Sequence, residues 1–167
     1  MEKDNQNLNK KGEKQISGIV HLLLSYSYVI FFLAVVFGVV FDIVFPIRLF
    51  NGIIYEYIGF GFIIIGSILI YWAQATSRAT SKTIPRERDI NFFLQGPYKY
   101  TRNPTNLGLT LTVFGLGLLI NSFFTIVFIL ITYIISKLIF IKKQDAILEE
   151  RYGDVFEDYR KKVRDWV

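Results

Sequence analysis

Between two long apolar regions lies the segment GPYKYTRNPTNLG, Gly96 to Gly108, which gathers several groups able to hold a ligand. Gly96-Pro97 signals a turn. Asn103 suits a helix N-cap and Pro104 the first helical position, so a helix is expected to start at Pro104. The first N–H groups of such a helix have no partner within it, and its dipole is positive at that end. Both features favour a carboxylate or phosphate. Arg102, beside this helix start, can grip the same anion bidentately. Tyr98 and Tyr100 offer ring faces to a cation. These residue types suit a ligand that carries an anion and a cation together. They also suit an interfacial belt, with tyrosines anchored at headgroup depth, Lys99 and Arg102 touching lipid phosphate, and Asn103-Pro104 doing no more than starting a helix.

The elements that must position this segment are membrane helices. The chain has 167 residues, one domain's worth, of which 52% are apolar and 16 are Phe. The apolar residues come in long blocks rather than at the helical or strand period of a soluble domain, and about 20 consecutive apolar residues cross a bilayer. A polar, basic N-terminus, residues 1–17, is expected to be disordered. Gly18 to Phe41 follows; it is too long for a signal-peptide core and has no small-residue cleavage site, so it reads as a retained first span. After a short DIVFPIRLFN connection broken at Pro46, a second span is expected over 52–74 and a polar cytoplasmic loop over 75–103. The apolar run from Leu107 to Ile141 would be about 50 Å long as one helix, so Asn121-Ser122 is read as a turn between spans at 104–120 and 123–141.

Charge placement decides between one span and two. Lys and Arg cluster before span one, in the loop and after residue 136, with Arg48 the exception. A hairpin over 104–141 keeps these clusters on one side, as the positive-inside rule favours, and makes both termini cytoplasmic. Residues 142–167 carry Leu148, Tyr152, Val155, Tyr159, Val163 and Trp166 at helical spacing among charges. They are expected to form an amphipathic tail helix, with Gly153 marking a bend. This helix either lies on the headgroups or folds back over the loop as a lid.

Other polar residues have plainer readings. His21 is expected to bond to a neighbouring helix, Glu56 to reach the interface, and Lys137 to snorkel. Gly59, Gly61 and Gly66, with Gly108, Gly115 and Gly117, are expected to permit close helix packing. The run Arg78, Lys82, Arg86 and Arg88 is read as contact with anionic lipid headgroups. That placement disfavours nucleic acid as the reason for the +5 net charge. With no cysteine there are no disulfides or thiolate metal sites, and no metal-ligand cluster is visible.

GPYKYTRNPTNLG resembles the G-x-Y-x-x-x-R-H-P-x-Y-x-G segment of the membrane methyltransferases that include isoprenylcysteine carboxyl methyltransferase and bacterial phospholipid N-methyltransferases. The tail, ILEERYGDVFEDYRKKVRDWV, is similar to that family's E-E-x-x-L-x-x-x-F-G-x-x-Y-x-x-Y-x-x-x-V ending, matched at Leu148, Tyr152-Gly153, Phe156, Tyr159 and Val163. The resemblance runs from about Ile90 to the C-terminus. It implies S-adenosylmethionine as methyl donor, bound without a soluble-type dinucleotide domain. By position, Phe92 and Phe93 would flank the donor, Tyr98 would pack on it, and Arg102, Asn103 and Pro104 would line its polar end; Tyr100 and Asn106 are further candidate donor contacts. Arg102 and Asp145 are the candidates closest to the chemistry, and Glu149 is a further donor contact. Three positions depart from the family pattern: Asn103 stands for its His, Asn106 for its Tyr, and Gln144-Asp145 for its acidic pair.

The fold expected is therefore all-α and integral to the membrane, with about four transmembrane helices, a helical hairpin and a C-terminal amphipathic cytoplasmic helix, in one domain over 18–167. The function implied is methyl transfer to a lipophilic acceptor, a prenylcysteine-type carboxylate, a phospholipid amine or another small lipophile, among membrane lipids. A rival resemblance is to sterol reductases, whose Arg-x-Pro-Asn-Tyr-x-Gly segment binds NADPH. An acidic residue usually follows that Gly; here it is Leu109. A non-catalytic membrane scaffold of the same fold is the third reading.

Overall fold

The structure, a computed structural model, describes residues 25–50, 52–82, 90–163 and 165. The N-terminal segment 1–17, His21, Arg86, Arg88 and Trp166 lie outside the described residues. Helices make up the regular structure among them: α1 Ser25–Val44, α2 Ile54–Lys82, α3 Pro104–Leu119, α4 Phe123–Ile135, α5 Lys142–Tyr152 and α6 Asp154–Lys162. Two 3₁₀ turns, Ile90–Phe92 and Gly96–Lys99, precede α3, and a π turn, Ser136–Ile141, joins α4 to α5. Three helical stretches are long and apolar enough to cross a membrane, Ser25–Val44, Ile54–Thr80 and Phe123–Glu150. The apolar helix α3 is shorter, at 16 residues.

The start of α3 and the turn at Asn121-Ser122 fall where the sequence puts them. Two boundaries differ. Helix α2 runs on to Lys82 rather than stopping near residue 74, because Ala75 to Lys82 contains no Pro or Gly to end it. The fourth apolar helix does not end at 141: the π turn carries it without a break into α5.

Glycine sets the closest helix contact. Helices α2 and α3 run antiparallel, with Gly59 against Gly115 and Gly66 against Gly108. A Cβ on Gly66 would lie 2.5 Å from the Gly108 carbonyl oxygen, and one on Gly115 would lie 2.5 Å from that of Gly59. In lipid the driving force for helix association is packing, so backbones that approach this closely need small residues facing each other. Gly66→Ala is expected to push the pair apart and cost about 1–3 kcal/mol, read as a lower melting temperature in detergent. Gly61→Ala is the control: a Cβ there meets nothing within 4 Å, and its effect should be near zero.

Side-chain bonds fix which ends meet. Asn121, at φ 52° in the α3–α4 turn, accepts from the Leu49 and Phe50 N–H groups at 3.2 Å and donates to the Phe50 carbonyl at 2.7 Å. The α3–α4 turn is thereby fastened to the α1–α2 connection. Ser122 caps α4, its hydroxyl accepting from the Thr125 N–H at 3.1 Å. Between the ends, Phe31, Val113 and Ile129 form a core shared by α1, α3 and α4. At the opposite end, Tyr28 of α1 accepts from Gln74 of α2. There the 90–103 segment, α5 and α6 gather.

The tail is two helices rather than one over 142–167. Gly153 breaks it at φ +54°, a backbone conformation that costs glycine little. After that bend α6 turns back and buries Phe156, Tyr159 and Val163 against Ile90, Phe93, Leu94, Leu148 and Tyr152. Val155, in the stripe read from the sequence, is only half-buried, and Phe156 takes the central position.

Candidate functional site

The corner at residues 96–106 is built on Pro97 and Pro104, both fully buried. Pro97 lies inside the 3₁₀ turn and Pro104 is the first residue of α3. The Tyr98 phenol bonds to Ser77 of α2 and Thr105 of α3, tying the turn to both helices; burial pushes its pKa up and those bonds oppose the shift. The Tyr98 carbonyl accepts from the Tyr159 hydroxyl of α6 at 2.7 Å. Burial raises that phenol well above its ordinary range, with the nearby Arg102 charge opposing. Both phenols are therefore neutral hydrogen-bonding groups at ordinary pH.

Arg102 meets Asp145 across this corner. Its Nη1 donates to Asp145 Oδ2 at 2.7 Å, with the two side chains 11% and 16% exposed. A pair this short and this shielded is a charge-assisted bond of the stronger kind. Arg102 Nε is buried and has no hydrogen-bond partner. A buried N–H left this way costs free energy, so its acceptor is the chemical question the corner poses.

Asn103 corrects an expectation. It occupies the N-cap position of α3, but its side chain makes no cap bond. Instead Nδ2 donates to Asp165 Oδ1 at 3.2 Å. The position was legible because Pro104 fixes the helix start; the side chain's partner lies 62 residues away, beyond the reach of local rules.

A cavity of about 40 Å³ lies beside Arg102, lined by Ser27, Tyr98, Asn103, Pro104, Thr105, Asn106, Phe140, Ile141 and Gln144. Asn106 is buried, and its Nδ2 donates to Ser136 Oγ at 2.9 Å, at the start of the π turn. Turns of this kind often occur at functional sites, and here the turn supplies Phe140 and Ile141 to the cavity wall.

Tyr98, Arg102, Asn103, Pro104 and Asn106 therefore line one cavity, and Asp145 joins them through its pair with Arg102. The other sequence candidates do not line the cavity. Phe93 packs in the tail cluster, stacked on Tyr159 at 5.1 Å and edge-on to Tyr152 and Phe156. Tyr100 is exposed, with its own neighbour Lys99 4.7 Å above its ring. Glu149 is half-exposed and pairs with Arg160 at 3.4 Å. The Phe92 side chain is outside the described residues. Asp165 and Ser136 escaped the sequence reading; neither has a local signal, since each matters only through a distant asparagine.

The residues present fit the anionic end of an amino-acid-bearing ligand: an unpartnered buried Arg102 N–H beside a Pro-initiated helix start. Neither a curated protein nor a solved structure matches the chain. The sequence model of one family, phospholipid methyltransferase, matches residues 54–155. That match runs from α2 across the Arg102 corner into α6 and takes in more than half of the chain, and on this ground the protein belongs to the phospholipid methyltransferase family.

Proposed function

We propose that this protein transfers a methyl group from S-adenosylmethionine to a lipophilic acceptor at the cytoplasmic face of the membrane. Membership of a phospholipid methyltransferase family, with three helices of membrane-crossing length, makes it an integral membrane protein of a lipid-methylating kind. The donor, the face, a four-span topology with both termini cytoplasmic, and the residue roles are this reading's own. One observation carries it: Arg102, held by Asp145 through Nη1, keeps a buried Nε–H without a partner at the start of α3.

When bound, the donor supplies a methyl group already activated on a sulfonium, so the protein needs to contribute alignment and exclusion of water more than acid–base chemistry. Arg102 Nε and the first N–H groups of α3 hold a carboxylate. Asp145 keeps the guanidinium oriented, and Tyr98, pinned by Ser77, Thr105 and Tyr159, presents its ring to a cation. The corner is level with Ser77, about one and a half turns beyond the exposed Tyr71 and Trp72 of α2. Exposed aromatic residues of this kind mark the membrane interface, so an acceptor reaching the Phe140–Ile141 wall can remain anchored in lipid.

Calorimetry of the purified protein in detergent with S-adenosylmethionine, its demethylated product and NADPH tests this. Binding of the first two but not the third is expected. Binding of NADPH alone would replace the reading with a reductase, and binding of none would leave a scaffold.

A further inference from the structure

The tail contributes carboxylates to two loop side chains at the polar end of the proposed donor site: Arg102, which the proposed function gives to the donor's anion, and its neighbour Asn103. Asp145 pairs with Arg102 at 2.7 Å, and Asp165 accepts from Asn103 at 3.2 Å. The cavity beside Arg102 and Asn103 is about 40 Å³, room for about three water molecules, far less than a nucleoside–amino acid conjugate occupies. This arrangement has to open before such a ligand can enter.

The two contacts are unequal. The Arg102–Asp145 pair is short, ionic on both sides and shielded. The Asn103–Asp165 bond has a neutral donor and a longer distance, and it belongs to the far end of the chain, beyond α6. Of the two, it is the weaker. Upstream, α6 itself is anchored by Phe156, Tyr159 and Val163, so Asp165 is the more easily released of the two carboxylates.

We propose that Asp165 is a built-in competitor of the methyl donor: its carboxylate occupies Asn103 in the closed form, and donor binding displaces it while Asp145 stays on Arg102. This inference rests on the proposed donor site and adds a regulatory contact to it. A site that must first break a contact shows an apparent affinity lowered by the fraction of molecules that are open. Removing the competitor therefore tightens binding, the opposite of what loss of a donor contact does.

Asp165→Ala, which removes the acceptor, is the test, with S-adenosylmethionine and its demethylated product as probes in detergent. Kd is expected to fall about tenfold, the scale of one hydrogen bond to a charged group. Because the chain has no cysteine, Lys162→Cys at the exposed end of α6 takes a single environment-sensitive fluorophore. Its emission should shift on donor addition when Asp165 is present, and should already be shifted in the Asp165→Ala form. Unchanged or weaker binding by Asp165→Ala would overturn the inference, as would unchanged emission. If the labelled chain with Asp165 intact binds neither probe, the proposed function fails. In that case the fluorophore still decides the latch: emission altered by Asp165→Ala supports it, and unaltered emission ends it.

Discussion

Arg102→Ala is expected to raise the Kd for S-adenosylmethionine about a hundredfold or more and also to lower the melting temperature. The two effects have different sources. Binding suffers because the guanidinium that grips the donor's carboxylate is gone. Stability suffers because Asp145, 16% exposed at the side chain, is left without its cation. Breaking a shielded pair from one side costs about 3–5 kcal/mol. The double variant Arg102→Ala with Asp145→Asn separates them. It should recover much of the stability, since no buried charge is then unpaired, and none of the donor binding. Arg102→Lys should bind almost as poorly as Arg102→Ala, because an ammonium has neither the planar fork nor the Nε–H donor of a guanidinium. Full donor binding by Arg102→Ala in calorimetry would remove Arg102 from the site.

Deleting Asp145 to Val167 should abolish donor binding while the apolar helices still insert, as read by membrane fractionation and calorimetry side by side. The finer version is Phe156→Ala. Phe156 is 1% exposed at the centre of the cluster that joins α6 to Ile90, Phe93 and Leu94, and truncating such a ring costs about 3–5 kcal/mol. That loss falls on a peripheral helix held by one small cluster, so α6 should detach locally while the helical core stays folded. Amide exchange should then rise across 154–162 and leave α2 and α3 unchanged. Donor affinity should drop along with it, because the Tyr159 hydroxyl that fixes the Tyr98 carbonyl leaves with α6. Donor binding that survives the deletion would mean that the tail takes no part in the site.

Much of the fold was legible from the sequence because a bilayer imposes long-wavelength rules. Apolar runs of crossing length, the Asn121-Ser122 break and the Asn103-Pro104 helix start are each visible within a few residues. The helices found, with the turn at Ile120 to Ser122 and α3 beginning at Pro104, follow them. Boundaries drifted where no breaker marks them: α2 runs on to Lys82, and α4 continues through the π turn into α5.

The sequence alone determined the helical class and the position of the chemical corner, since periodicity and proline act locally; it left open whether the charged tail lies on the headgroups or folds back over that corner. Only the tertiary structure decided which carboxylate answers which loop residue. Asp145 with Arg102 and Asp165 with Asn103 are contacts across 43 and 62 residues. They depend on the phase that the π turn gives α5 and on the reversal at Gly153. The same holds for Phe93, placed by motif beside a ligand but drawn into the Phe156–Tyr159 cluster. An aromatic ring goes where most apolar surface can be buried, and that place exists only once α6 has folded back.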